Sequence, residues 1–509
     1  MGSDTKSGEN TMKLSRDDIL TNPEWGEKGY VLPKFDMAKT EKATVSEPRW
    51  LHFGAGNLFR AFPAVIQQEL LERGLTDKGI IVCEAFDEGI IDGVYTPFGN
   101  THIVVTLNAD GSSHKRVTAS VAEAFAASAN YDRLKEICVS PGLGIISFTV
   151  TEKGYQNRAI TELVARLCRE RYASGRLPVA LLSLDNCSKN GDVLKNAVLE
   201  AAEGFNDAGF IEYLNEPEKV SFPWSMIDKI TPRPSESVQR ALREDGLPEK
   251  DTEIIKTAGN TFAASFVNTE PTQYLAIEDR FPNGRPPLEE AGVIFCDRGT
   301  VHNIESMKVR TALNPLHTAM SIFARLLGYG YIYEAMKDDR IKRFITRLGY
   351  GELMPAAVNP GVIDPLKFMD EVINKRFPNP CIPDTPQRIL CDTSQKIPVR
   401  FGETLKVYAE KDRAALSGLT LVPFTFAGWL RYLKGTDDKN RPMELSPDPL
   451  LNELTGAVGR GEFKNILARA DIFGIDLCEY GLAAKVTEMF GGMAREGAVG
   501  AALEKFSED

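Results

Sequence analysis

From Arg49 onward, short apolar runs alternate with amphipathic stretches, the signature of βαβ units that build a parallel sheet. The pattern predicts strands at residues 50–53, 80–83, 103–107, 145–149 and 179–183. Beyond about residue 300 the strand signals fade, and segments with helical period follow at 316–327, 332–348, 365–374, 416–433 and 477–506. The chain therefore reads as an α/β domain over 48–297 and an all-α domain over 298–509, dividing near Asp297, with ligand chemistry expected in the cleft between the two halves. Residues 1–47 are polar, carry Pro23 and Pro33 with Pro48 just beyond, and lack a sustained period, so they are expected to form an extended arm. No internal repeat is found.

The first predicted strand runs into His52-Phe53-Gly54-Ala55-Gly56-Asn57-Leu58-Phe59-Arg60 and an amphipathic segment to Arg73. Gly54 suits a tight turn, and Gly56 lets backbone N–H groups approach a pyrophosphate at a helix N-terminus. Phe59 stands where a third glycine belongs, so the motif by itself fits a plain glycine turn equally well. Its position changes the balance, because it follows the first strand, opens a helix and precedes a second strand ending in Glu84. The expectation is a Rossmann-type domain with NAD as cofactor and Phe53, Gly54, Ala55, Gly56 and Asn57 forming the cofactor turn. Glu84 is the candidate acceptor for ribose hydroxyls, and its charge would repel a 2′-phosphate. Asp87 competes for that role, and Arg60 is either a pyrophosphate contact or a solvated helix arginine.

The densest chemistry lies in Lys308-Val309-Arg310-Thr311-Ala312-Leu313-Asn314-Pro315-Leu316-His317. Asn314 before Pro315 predicts a helix start with Asn314 as N-cap and Pro315 as first helical residue, placing His317 about one turn inside. Two readings stay open on these residues. Asn314 only caps, His317 only bonds nearby backbone and Lys308 is solvated; or Lys308, its pKa lowered in a dry cleft near other cations, is the proton donor and acceptor for a secondary alcohol and its ketone, Asn314 polarises the oxygen and His317 holds a neighbouring hydroxyl. The five histidines never pair at metal-ligand spacing, so no metal site is expected.

Composition narrows the classes. At 509 residues the chain exceeds what one core supports, roughly 250–300 residues. A formal charge of −11 without a basic stripe argues against nucleic acid, and no apolar run is long enough for a bilayer span. An anionic substrate would need a local cationic pocket against that background. The start lacks an apolar signal core, and Lys6 breaks a myristoylation pattern after Gly2. The eight scattered cysteines read as reduced, buried thiols, which points to the cytoplasm. Monomer and homodimer fit equally well.

Taken in order, several further segments join these: Thr151-Glu152-Lys153-Gly154-Tyr155; Ser183-Leu184-Asp185-Asn186 with Asn190-Gly191; Phe222-Pro223; Met226 to Pro232; Asp279-Arg280-Phe281; and Gly284-Arg285-Pro286-Pro287. With the glycine turn and the Lys308 group, they make the chain resemble the mannitol dehydrogenase family from about Arg49 to its end. The resemblance implies a C-terminal domain like that of 6-phosphogluconate dehydrogenase, and Lys308 as catalytic acid/base without a metal. It implies Asn186 and Asn314 around the reacting oxygen. It also implies substrate contacts from Asp228, the backbone around Ile227, His317, Arg388 and Lys396. The common family pattern places the asparagine one residue closer to the lysine and follows it with glycine, where this chain has Pro315.

Within such a family the substrate is a neutral ketose or polyol, or a keto-uronate whose carboxylate needs a cation such as Arg310, Arg388 or Lys396. Reduction of D-fructuronate to D-mannonate is the favoured expectation, with D-tagaturonate reduction and mannitol oxidation behind it. A non-catalytic NAD or sugar-acid sensor is opposed by Lys308 with its two asparagines, since a sensor needs no proton-transfer group. A 6-phosphogluconate-type decarboxylase is opposed by the missing third glycine.

Overall fold

A computed structural model describes residues 11–150, 154 and 158–507, so of the 151–155 segment only Gly154 lies within the described residues. The chain divides into two compact units, Met1–His302 and Asn303–Asp509. The division falls within the helix Arg298–Met307, near Asp297.

The first unit is built on a six-stranded sheet in the order Val121–Ala126, Ile80–Glu84, Trp50–Phe53, Ile145–Phe148, Val179–Ser183, Val220–Ser221. Every neighbouring pair is parallel. Numbered along the chain this is 3-2-1-4-5-6, the order of dinucleotide-binding sheets, whose strand order reverses beside the first strand. Both faces are covered, which explains why these strands read as continuous apolar runs. Leu51, Phe53, Ile81, Ile146, Phe148 and Leu181 pack on one side. Trp50, Ile80, Val82, Ile145 and Leu182 pack on the other with Phe59, Ile66 and Leu70.

Two expectations about this unit are corrected. The segment at 103–107 does not enter the parallel sheet. It forms the strand His102–Leu107, which turns through Asp110 and Gly111 and pairs antiparallel with Ser113–Thr118, in a separate four-stranded sheet with Tyr30–Val31 and Phe266–Thr269. A strand's period does not reveal its partner, and the third parallel strand is Val121–Ala126 instead. Residues 11–47 are not an extended arm. They carry the helices Arg16–Thr21, Glu24–Glu27 and Met37–Ser46 and bury Met12, Leu14, Ile19, Trp25 and Tyr30 against Ile103, Val105, Val117 and Phe266. Their apolar side chains are spaced singly among polar ones, which hides a buried segment from any periodic template.

The second unit is helical, with the long predicted segments broken. The 332–348 stretch becomes Ile332–Ala335 and Asp339–Arg347, the latter capped by Asp338. The 416–433 stretch becomes Arg413–Gly418 and Leu421–Tyr432, and the 477–506 stretch becomes Leu482–Gly492 and Ala498–Ser507. All residues of Leu421–Tyr432 are buried. The Glu352 carboxylate accepts the N–H groups of Thr420, Leu421 and Val422 at 2.6–2.8 Å and so satisfies the orphan donors at that helix start. Phe323, Phe344 and Phe424 stack around one another with centroids 4.8–5.4 Å apart.

Five π-helical segments occur among the described residues, at Ile91–Tyr95, Lys308–Ala312, Leu348–Leu353, Val372–Arg376 and Pro398–Gly402. Such turns concentrate at functional sites. The second, Lys308–Ala312, lies where the resemblance implies one residue more than the family pattern, and a π turn is the geometry that takes up a single extra residue.

Candidate active site

The glycine turn leaves the carboxyl end of the first strand beside the point where the sheet order reverses. Gly54 has φ +109, and a Cβ there would meet Thr149 Oγ1 at 2.7 Å and the Thr149 carbonyl at 3.1 Å. Only glycine fits. Gly56 is different: its φ is −78 and no heavy atom lies within 4 Å of a Cβ built on it, so what it provides is open approach to the backbone. Behind the turn, His52 bonds Ser147 Oγ at 2.7 Å and Thr149 Oγ1 at 3.0 Å and stacks on Phe59 at 4.1 Å. Burial drives its pKa down to about 3, so the imidazole is neutral.

Glu84 does something the sequence did not suggest. One carboxylate oxygen accepts the Ala55 N–H at 2.7 Å, and the other accepts the N–H groups of Ala85, Phe86 and Asp87 at 2.9–3.2 Å. It braces the glycine turn to the loop after the second strand, leaving little acceptor capacity for a ribose. Asp87 is likewise engaged, accepting the Thr257 hydroxyl at 2.6 Å. Arg60 is neither a pyrophosphate contact nor solvated. It is fully buried and donates to Ala264 O at 2.6 Å and Asn57 Oδ1 at 2.8 Å, because the short helix Asn57–Ala61 turns its basic face inward. Asn57 in turn donates to Pro232 O at 3.3 Å.

In the same unit, Asn186 is exposed on the turn after the fifth strand. That turn is shaped by Asp185, which accepts from Ser183 Oγ and from the Cys187 N–H, the latter at 2.7 Å. Asn190, given no role from the sequence, exchanges hydrogen bonds with Ser225 at 3.0 Å and so ties the helix Asn190–Glu203 to the strand Ser225–Asp228. Gly191 permits this, since a Cβ there would sit 2.5 Å from Phe222 O. Asp228 ends that strand, 4% exposed, and the Ile227 side chain lies in the core, so only its backbone is available to a ligand.

In the second unit, Lys308 is 8% exposed at the start of its π turn, which rules out the solvated reading. Asn314 is not the N-cap. It is the first residue of the helix Asn314–Leu327, with Leu313 before it and Pro315 second. The reason is the π turn, whose residues already run in helical conformation into Leu313, so no extended capping residue intervenes.

His317 lies one turn on, its Nε2 3.6 Å from Asp384 and its ring 5.0 Å from that of Phe377. Burial lowers its pKa to about 3, with Arg400, Arg388 and Arg376 pushing the same way and Asp384 opposing. It therefore serves as a neutral donor or acceptor. Arg388 grips Asp384 with two nitrogens at 2.7 and 2.5 Å. Lys396 is half-buried and donates to the carbonyls of Ile389, at 3.2 Å, and Cys391. The Asp448 carboxylate fixes this segment through the N–H and hydroxyl of Ser394, at 2.7 and 2.6 Å. The structure thus gathers His317, Arg388 and Lys396, and adds Asp384 and Arg400. The four-residue spacing of Asp384, just before the short helix Pro386–Ile389, and Arg388 within it was the available signal for the first.

A groove of about 500 Å³ lined by Arg49, Lys78, Gly144 and Arg285 lies at the opposite, amino ends of the strands and is not this site. No group of three His, Cys, Asp or Glu among the described residues is arranged to hold a metal, and no helix among them is long and apolar enough to cross a membrane. Cys83, Cys138 and Cys168 are buried, and the other five cysteines are partly exposed rather than buried as expected.

Known proteins match this chain over most of its length. The profile of the mannitol dehydrogenase Rossmann domain matches residues 48–290, and that of the mannitol dehydrogenase C-terminal domain matches 300–493. A Thermotoga maritima protein named D-mannonate oxidoreductase is 45% identical, covering 94% of this chain and 96% of that protein. A mannitol 2-dehydrogenase of Neosartorya fischeri is 29% identical over 88% of this chain and 91% of its own. Two solved structures, each 24% identical, share the fold. A D-sorbitol dehydrogenase in substrate-free form has a TM-score of 0.80, covering 93% of this chain and 97% of its own. Pseudomonas fluorescens mannitol 2-dehydrogenase, in ternary complex with NAD and D-mannitol, has one of 0.71, covering 97% and 99%. With both domain profiles matched in order and the dinucleotide sheet and helical unit in place, the chain belongs to the mannitol dehydrogenase family.

Proposed function

We propose that this protein is an NAD-dependent oxidoreductase that reduces a keto-uronate, D-fructuronate, to D-mannonate, and oxidises the alcohol in the reverse direction. The observation that carries this reading is the 45% identity, over 94% of the chain, to a relative named for D-mannonate. The residues present fit the cofactor: a parallel sheet of dinucleotide order, Gly54 where a Cβ would clash, and open space at Gly56. NADH held there would supply the hydride for the carbonyl carbon. Lys308 then gives its Nζ proton to the carbonyl oxygen on reduction and takes it back on oxidation. Asn186 and Asn314 hold that oxygen through their amides, and the Asn314 side chain makes no hydrogen bond of its own among the described residues. Asp228, the Ile227 backbone and neutral His317 orient the substrate hydroxyls, with Arg388 and Lys396 beside them. No step requires a metal.

The test is NADH consumption with D-fructuronate, D-tagaturonate and D-fructose side by side, repeated with NADPH and after exhaustive chelation. The expected result is preference for D-fructuronate with NADH, undiminished by the chelator. Preference for D-fructose would make this a mannitol-type dehydrogenase, and a metal-rescued loss would remove the lysine mechanism.

A further inference from the structure

Around His317 the second unit gathers several cations. Arg376, Arg388 and Arg400 all act on the imidazole, and Arg388 and Arg400 both act on Lys396. The three cations that the sequence offers as carboxylate partners are already engaged. Arg388 is held by Asp384 in a two-pronged pair. Arg310 faces Glu403 at 3.5 Å. Lys396 points two donors at main-chain carbonyls.

Arg400 differs. It sits on the π turn Pro398–Gly402, half-buried, and its one hydrogen bond among the described residues goes from Nη1 to the hydroxyl of Thr318, the residue after His317. No carboxylate among the described residues pairs with it. A guanidinium carries five N–H donors in a planar fork, so most of this fork is uncommitted. Its remaining nitrogens are not sealed in the protein, since none is among the fully enclosed atoms that lack a partner. A charged fork that is largely desolvated, unpaired and still open on one side is matched by a planar anion.

We propose that Arg400 receives the carboxylate of the substrate and sets the preference for a sugar acid over a neutral ketose. This rests on the keto-uronate reading above. The neutral His317 beside it holds a substrate hydroxyl, and Thr318 fixes the angle of the fork. Burial and Arg388 bring the Arg400 pKa down to about 10, which still leaves it charged at neutral pH.

The experiment compares wild type with Arg400→Gln and Arg400→Lys, using D-fructuronate and D-fructose as substrates and D-mannonate and D-mannitol as product inhibitors. Losing a two-pronged ionic contact should raise KM for D-fructuronate about a hundredfold in Arg400→Gln, with kcat falling much less. Inhibition by D-mannonate should weaken in parallel, while the constants for D-fructose and D-mannitol move far less. Arg400→Lys should recover roughly a tenth of the lost affinity, because the charge stays but the fork is gone. Melting temperature and NADH binding, measured on each variant, establish that it is folded. Equal losses on the acid and neutral ligands, or an unchanged KM for D-fructuronate, would overturn the assignment of Arg400 alone. A wild type inactive on every uronate would overturn the keto-uronate reading, and with it this one.

Discussion

At the level of single residues, the sequence exposed the reactive groups better than their surroundings. Lys308, Asn314 and His317 stood out by type and spacing, yet nothing in their order showed that Lys308 would be buried. Lys308→Ala is expected to lower turnover by about 10²–10⁴-fold while NADH binding, followed by fluorescence, stays within twofold; a variant with near-normal turnover would remove the lysine from the chemistry. Arg60 and Glu84 show the opposite failure. Each looked like a ligand contact because it is a charged residue near a phosphate turn, but both spend their charge on backbone groups of the fold. Sequence spacing does not say which way a side chain points. Arg400 escaped notice for the same reason, since its significance lies in the acids it does not meet.

At the level of elements, the strands of the parallel sheet were legible because burial on both faces leaves an uninterrupted apolar run. Their ends matched within about a residue, as for Val179–Ser183. The strand His102–Leu107 was legible but its hairpin partner was not, and neither was the buried segment 11–47, since pairing partners and isolated anchors such as Trp25 leave no periodic trace. Helix breaks were missed where a polar cap or a π turn interrupts an otherwise continuous stripe, as at Asp338 and at Val372–Arg376. The two glycines of the cofactor turn make separable predictions. Gly54→Ala forces a side chain into left-handed backbone and against Thr149, and should cost about 1–3 kcal/mol of stability as well as NADH affinity. Gly56→Ala meets no neighbour, so it should weaken NADH binding with little change in melting temperature. Denaturant titration beside NADH titration checks both; identical behaviour of the two variants would contradict the distinction.

For the molecule as a whole, three buried neutral histidines tie stability to pH. His52, His102 and His317 each have a folded pKa of about 3, below the ordinary 6.5. The unfolded chain binds protons below pH 6.5 where the folded one does not, so their contribution is complete above 6.5 and is lost as pH falls from there toward 3. Each loses about 1.4 kcal/mol per pH unit in that window. The thermal midpoint should therefore drop between pH 7 and 5, and less steeply in His102→Gln; parallel curves for wild type and variant would refute this origin. The two-unit division and the order of the parallel sheet were within reach of the sequence, whereas the additional sheets of the first unit were not, because they assemble from short strands far apart in the chain. The Glu84 brace also bears on attempts to re-target the enzyme to another coenzyme. Exchanging the acidic residue at the end of the second strand is the usual route toward a phosphorylated ribose, but here that exchange would release the Ala55 amide and loosen the phosphate grip itself. Design has to keep Glu84 and act instead on the neighbouring positions, beginning with Phe86, which is 72% exposed.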